Sequence, residues 1–409
     1  MKRESVFKAT TRFGILLFAL SIPISHVPAQ FGIGIAFVGW LGEGLINKKW
    51  RVCWHPVFIP LIVYLIWNIL SAALSERPGH SLGAILDNEW PLFIMLMLFW
   101  TVNDEAFLRK VLMVFLSSVC VAVVYAVWQV VGGVELYRHM PLDPMGSGLY
   151  RAVGFYSFYL TFAALAMAAF FFSTSFSFEF RKWYFVVLSV LSFLAVVGSF
   201  ARSMWLAFAL AIPIFAFMRR RKLGAILSSV LLIVVIGGML FVPTLRYRAG
   251  SILDAGQNET RLNLWKTAVK ISESNPIIGI GEDNWDLMFE RYRVAGYYDT
   301  TVHPHNDYLT VLVSSGIPGL LAFLSIWTVL LVTGFKSIVK MQNRTLRAVG
   351  WGGAFSLVGL LVGAMFQNYY GTFINCLEWW FVAGLLMTAV KLSAPGSEER
   401  VSVLERSQT

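Results

Sequence analysis

Residues 203–218 (SMWLAFALAIPIFAFM), the tetrad Arg219, Arg220, Arg221 and Lys222, and residues 223–243 (LGAILSSVLLIVVIGGMLFVP) decide the class of this protein. Each apolar run approaches the ~20 residues that an α-helix needs to cross a ~30 Å hydrocarbon core. Four cations between two such runs read better as an orientation signal at a membrane surface than as a nucleic-acid patch. Working outward, further apolar runs bounded by charge or by Gly/Pro clusters fall at 12–27, 30–46, 57–75, 88–102, 108–131, 152–173, 183–200, 306–335, 348–370 and 374–392, making twelve candidate spans. The composition agrees: 57% of the 409 residues are hydrophobic and 14% charged, where soluble domains carry about 25% charge. A water-soluble protein is excluded. The expected fold is all-α and polytopic, with separate soluble units limited to small ones.

The net charge of +10 must be sorted by side before it says anything about partners. With Lys2, Arg3, Lys8 and Arg12 in the cytoplasm, the even-numbered connections are cytoplasmic too. These hold Lys48, Lys49, Arg51; Arg109, Lys110; Arg181, Lys182; Arg219, Arg220, Arg221, Lys222; and Lys336, Lys340, Arg344, Arg347. Together with Lys391, Arg400 and Arg406 that is 22 of the 33 basic residues on one side, whereas the opposite short loops hold only Arg77, Arg138, Arg151 and Arg202. The distribution obeys the positive-inside rule, places both termini in the cytoplasm and removes any need for a nucleic-acid partner. The N-terminal run lacks an A-x-A-like cleavage site and is read as an uncleaved span. Cys53, Cys120 and Cys376 are odd in number and far apart, and read as packing residues.

The expected organisation is spans one to nine in 1–243, an outer helical loop in 244–305, spans ten to twelve in 306–392, and a cytoplasmic tail in 393–409. The loop is where chemistry is expected. Asn258, Glu259 and Thr260 offer N-cap chemistry before a helix whose Leu264, Ala268 and Ile271 share a face, and Asn275-Pro276 ends it. Asp283 or Asn284 can cap a second short helix through Trp285, Met288 and Tyr292. Most of the loop's basic residues, Arg248 among them, read as solvated surface or ion pairs with neighbouring acids. Arg261 stands apart, because a cation in a first helical turn opposes the helix dipole unless an anionic ligand or a local carboxylate compensates it. Arg202 lies at the outer boundary between two apolar runs, where it either faces the bundle and marks a substrate path or snorkels to headgroups. Arg138 and Arg151, with His139, either add to the same positive site or are ordinary charges of the loop 132–151. Gln367, Asn368, Tyr369, Tyr370, Asn375 and Glu378 form a polar cluster in the last two runs, as helix–helix hydrogen bonds or as a cavity lining.

Residues 302–321 (VHPHNDYLTVLVSSGIPGLL) carry His305-Asn306, nine residues, Gly316, two residues and Gly319. In this pattern the sequence resembles the O-antigen ligase family, within the wider ligase and polymerase superfamily. Arg261 with Trp265, Asn275-Pro276 with Gly279 and Gly281, and Arg202 after a small-residue turn resemble it as well. The resemblance implies a GT-C-like glycosyltransferase architecture in a Gram-negative inner membrane. It implies transfer of a preassembled glycan from undecaprenyl pyrophosphate to the outer core sugar of lipid A-core at the periplasmic face. His305 then takes the role of general base, Arg202 and Arg261 bind pyrophosphate, and His303, Asn306, Arg138 and Arg151 are possible further contacts. The outer face shows no Asp-x-Asp pair or carboxylate cluster with metal-ligand spacing, so neither a metal nor another cofactor is expected, and attack without a covalent intermediate inverts the anomeric centre. The expected partners are the lipid-linked donor, lipid A-core and membrane lipids. An O-antigen polymerase or a protein O-oligosaccharyltransferase uses the same donor and is the nearest alternative. A transporter is more remote, since the spans hold few acids, chiefly Glu43 and Glu378, and no repeat is evident.

Overall fold

In the computed structural model, which describes residues 5–219 and 221–394, each of the twelve apolar runs is helical over most of its length. Lys2, Arg3, Arg220, Arg400, Arg406 and nearly all of the expected tail 393–409 lie outside the described residues. The helices are α1 (Val6–Ser21), α2 (His26–Leu45), α3 (Phe58–Ala73), α4 (Pro78–Glu89), α5 (Leu92–Thr101), α6 (Glu105–Gly132), α7 (Tyr159–Phe180), α8 (Trp183–Gly198) and α9 (Arg202–Arg219). They continue as α10 (Arg221–Phe241), α11 (Pro243–Gly250), α12 (Glu259–Ser274), α13 (Trp285–Tyr292), α14 (Asp307–Ile338), α15 (Arg344–Ala364) and α16 (Phe373–Ser393). Two small antiparallel ribbons, β1 (Val134–Glu135) with β2 (Met140–Pro141) and β3 (Pro144–Gly146) with β4 (Leu149–Tyr150), fill the connection between α6 and α7.

Apart from these ribbons the regular structure of the described residues is helical, consistent with a polytopic membrane protein. Among the described residues six helices are long and apolar enough to cross a bilayer, namely α6, α7, α9, α14, α15 and α16, and α4 with α5, bent by 42°, can act as a seventh. The other apolar runs fall short for a physical reason in three cases. The helices α1, α3 and α8 have 16 residues each, or ~24 Å at 1.5 Å per residue, less than a ~30 Å hydrocarbon core.

Three boundaries differ from the apolar runs. The run 152–173 becomes helical only at Tyr159, because the buried Gln129 side chain accepts from the backbone of Val153 and Gly154 and donates to the Gly154 carbonyl, holding that segment as a loop. The run 348–370 ends its helix at Ala364, so Gln367, Asn368, Tyr369 and Tyr370 lie in the loop before α16 and not in a span. The run 88–102 is split between α4 and α5 at Trp90-Pro91.

At one end of the bundle, charged pairs tie helices that are far apart in sequence. Glu179, near the end of α7, receives Arg219 from the end of α9 and Arg347 from the start of α15, the latter at 2.5 and 3.0 Å. Arg12 pairs with Asp104 at 2.5 Å, Asn343 with Glu105, and Lys391 with the Asn103 side chain at 3.0 Å. Several of the basic connections read from the sequence therefore share one end, while Tyr159 and Arg202 open α7 and α9 at the other.

The segment between α10 and α14 docks on a break in α14. At Gly316 the backbone reaches φ 68°, ψ −172°, a region open essentially only to glycine. The break frees carbonyls that a buried helix must satisfy, and the residues after α12 do so. Ile280 N–H donates to Val313 O at 3.0 Å, Gly281 N–H to Ser314 O at 2.9 Å, and Ile317 N–H to Pro276 O at 2.8 Å. From α3, Ser71 Oγ and Trp67 Nε1 donate to Ser314 O and Ser315 O at 2.7 and 2.8 Å. A Cβ on Gly316 would sit 2.2 Å from Ile277 O, and one on Gly279 would sit 2.5 Å from Ser314 O. Beside this junction Leu264, Ala268 and Ile271 of α12 form a small separate core with Ile280, Trp285, Met288, Phe289 and Val313. Two expected caps are absent. Asn258 instead donates to the carbonyls of Ser251, Ile252 and Asp254, and Asn284 to Ile280 O and Ser81 Oγ, each closing the turn before its helix.

Gly316→Ala is expected to destabilise the protein by about 1–3 kcal/mol from backbone strain alone, with the Ile277 clash added. The check is thermal unfolding of the detergent-purified protein against Gly83→Ala, whose new Cβ meets nothing within 4 Å. Equal melting points for the two variants would refute the junction as described.

Candidate functional site

Four arginines from four segments converge where α7, α9, α11 and α12 begin or end. Arg202, the first residue of α9, donates through Nη1 to Ser251 O at 2.7 Å and Ser251 Oγ at 3.2 Å, which aims its guanidinium at the α11 turn. Arg248, in α11, donates through Nε to Phe200 O at 3.2 Å and shares a hydrogen bond with the Tyr159 hydroxyl. Arg151 lies 4.2 Å over the Tyr159 ring and pairs with the exposed Asp143 at 3.0 Å. Arg261, in the first turn of α12, acts electrostatically on Arg202 and Arg248. It makes no hydrogen bond or ion pair among the described residues. The nearest candidate for a local compensating carboxylate, Glu259, accepts instead from Tyr297 N–H at 3.3 Å.

Such a cluster is electrostatically unbalanced. Burial, then the charges of Arg151 and Arg261, hold Arg248 below the usual guanidinium range, against the opposing pull of Tyr159. Four like charges with a single paired carboxylate, Asp143 on Arg151, favour any anion that can bridge them, and guanidinium forks match phosphate oxygens bidentately. Arg138 is not part of the group: it donates to Phe155 O at 3.2 Å and lies 4.0 Å from Glu135.

His305 stands next to this cluster, with Arg261 near enough to disfavour its charged form. The α12 helix is pinned to the histidine turn by Trp265 Nε1, which donates to Pro304 O at 3.0 Å. Arg261 and Trp265 are one helical turn apart and share a face. His305 has φ 52°, a left-handed conformation uncommon outside glycine, and its N–H donates to His303 Nδ1 at 3.1 Å. The two imidazoles lie 4.2 Å apart between centroids. Burial pushes His303 down to about 4, helped by His305. Burial also lowers His305 below its ordinary 6.5, with Arg261 adding to the effect and Gln367 and Asp299 opposing it. Both rings are neutral near pH 7.

The other residues around His305 build its frame. Asn306 caps α14, its Oδ1 accepting from Leu309 N–H at 3.1 Å, and its Nδ2 donates to Met365 O at 2.9 Å, so both ends of this amide are committed to the fold. Asp307 is buried and accepts from the backbone N–H groups of Tyr369, Tyr370 and Gly371 at 2.8, 2.8 and 3.0 Å. Gln367 Oε1 lies 2.9 Å from His305 Nδ1. Among the described residues no group of three or more His, Cys, Asp or Glu side chains is placed to hold a metal ion.

The structure thus gathers Arg202, Arg261, His303 and His305, adds Arg151 to them, and leaves Arg138 apart. It also adds Arg248 and Tyr159, for which the sequence offers no signal, since each is set in place by contacts between distant segments. Residues 187–324 match the family model for O-antigen ligase. A comparison with curated proteins gives no match. The matched stretch runs from α8 into α14 and contains Arg202, Arg248, Arg261, His305 and the Gly316 break, with Arg151, Tyr159 and Gln367 beyond its limits. Over residues 187–324, about a third of its length, the chain is similar to the O-antigen ligase family.

Proposed function

We propose that this protein is the ligase of lipopolysaccharide assembly, moving a preassembled glycan from undecaprenyl pyrophosphate to the outer core sugar of lipid A-core. The family match supports transfer chemistry of the O-antigen ligase or polymerase kind. The observation that supports a pyrophosphate-linked donor is a cluster of four arginines with a single paired carboxylate, Asp143 on Arg151, beside a neutral histidine; the choice of acceptor is what the transfer test decides. In this reading the protein sits in a Gram-negative inner membrane with about twelve membrane-embedded helices. Residues 244–305 form a periplasmic loop that carries part of the active site, and both termini are cytoplasmic. The supporting fact is positional: the basic connections joined through Glu179 lie at the opposite end of α7 and α9 from the arginine cluster, as the positive-inside rule requires.

The reaction needs two things from the protein. As the bond between the anomeric carbon and the pyrophosphate oxygen breaks, its electron pair stays on that oxygen, and the growing charge must be met by fixed donors. Arg202, Arg248 and Arg261 meet it, with Arg151 at the edge. The acceptor hydroxyl must lose its proton as its oxygen bonds to the anomeric carbon. His305 Nε2 takes that proton and later releases it to solvent. Attack from the face opposite the leaving group inverts the anomeric centre.

The test is transfer by purified full-length protein, with lipid-linked glycan as donor and either lipid A-core or a second lipid-linked glycan as acceptor. Transfer to lipid A-core is expected; extension of the lipid-linked glycan alone would assign the protein to the polymerases instead. His305→Ala is expected to lose about 10²–10⁴-fold in rate, the usual share of a general base, and undiminished transfer would remove that role. Arg261→Lys is expected to remain at least about tenfold impaired because a point charge does not replace the bidentate fork, and full activity of the lysine variant would refute fork-like recognition. Treatment with EDTA is expected to leave the rate unchanged, and a loss restored by a divalent cation would overturn the arginine-based account of the leaving group.

A further inference from the structure

Gln367 is 4% exposed and sits in the short segment between α15 and α16. That segment is clamped on both sides of Gln367 by the two residues that follow His305. Asn306 Nδ2 holds Met365 O, and the Asp307 carboxylate holds the three N–H groups of Tyr369, Tyr370 and Gly371. The amide oxygen is thereby delivered to 2.9 Å from His305 Nδ1. An amide oxygen only accepts, so Nδ1 carries the hydrogen and the lone pair is left on Nε2. From the other side, His303 Nδ1 receives the His305 N–H at 3.1 Å and fixes the backbone from which the ring projects.

We propose that Gln367 is a positioning residue of the transfer reaction, fixing the tautomer and ring plane of His305 so that Nε2 is the atom that takes the acceptor's proton. This rests on His305 being the general base. The same bond stabilises the protonated ring as it forms, because a hydrogen bond accepted from Nδ1–H is strengthened when the imidazole becomes cationic. The other titratable or charged groups around His305 are Arg261 from α12, Asp299 and His303 from the loop after α13, and Asp307 at the head of α14. None of them donates to or accepts from Nδ1 among the described residues.

The role has a pH signature that a merely structural one lacks. A general base works above its own pKa, so transfer rises with pH through the His305 titration. Gln367 raises that titration against burial and Arg261. Removing the amide oxygen therefore moves the acidic limb to lower pH, and a carboxylate in its place moves it to higher pH.

The experiment compares wild type, Gln367→Leu, Gln367→Glu and His305→Ala as purified full-length proteins, with kcat and donor KM measured across about pH 5–8, the range of imidazole titration. Gln367→Leu is expected to lose about tenfold or more in kcat, with donor KM within about twofold, and its acidic limb shifts down. Gln367→Glu is expected to keep most of its kcat at the alkaline end and to shift the limb up, and it serves as the test if the leucine variant fails to fold. Wild-type kcat and limb in both Gln367 variants, beside an inactive His305→Ala, would overturn the positioning role alone. Lost activity with an unmoved limb would overturn it too, and undiminished transfer by His305→Ala would remove the base and the proposal together.

Discussion

A helix broken inside a membrane protein leaves peptide groups that no solvent reaches, and the rest of this structure depends on how those of α14 are satisfied. The break at Gly316 exposes Val313 O, Ser314 O and Ser315 O, and the turn after α12 supplies two of the donors they need while α3 supplies the others. Chain outside the helical bundle is thus hydrogen-bonded into it. Because α12 is held at this junction and again by Trp265 at Pro304, Arg261 and His305 share one rigid frame although 44 positions separate them in the sequence. The glycines of the family pattern serve this contact: at Gly279 and Gly316 any side chain would strike backbone of the opposite segment.

On that frame the site is defined by an imbalance. Four guanidinium groups lie within electrostatic reach of one another, and the only carboxylate paired with any of them among the described residues is Asp143, on Arg151. Burial, with their mutual repulsion added, holds Arg248 below the usual guanidinium range. A neutral imidazole beside such a cluster is a consistent neighbour, since burial first and then the positive charge of Arg261 disfavour the protonated form of His305.

Much of this was legible in the chain. Apolar runs and their basic flanks locate every long helix, and the His-Asn pattern, Arg261 and Arg202 mark three parts of the candidate site. Hydropathy fails at segment ends, where a buried polar residue overrides it: Gln129 unwinds the stretch before Tyr159, and Asp307 captures Tyr369, Tyr370 and Gly371 outside any helix. Three of the twelve apolar runs fold into helices of 16 residues, α1, α3 and α8, shorter than the hydrocarbon core. Arg248 was hidden for a different reason. It lies two residues from Arg246 in a loop of mixed charge, and only the fold brings it against Phe200 and Tyr159.

The central claim is that fixed arginines, and no metal, hold the pyrophosphate of the donor. It is tested most directly by the affinity of the full-length protein for undecaprenyl pyrophosphate in EDTA, with undecaprenyl monophosphate as the reference ligand. The account predicts tighter binding of the pyrophosphate, reduced at least about tenfold when Arg202, Arg248 or Arg261 is replaced by alanine, and unchanged for Arg138→Ala. Equal affinity for the two lipids, or pyrophosphate binding that survives all three substitutions, would contradict it.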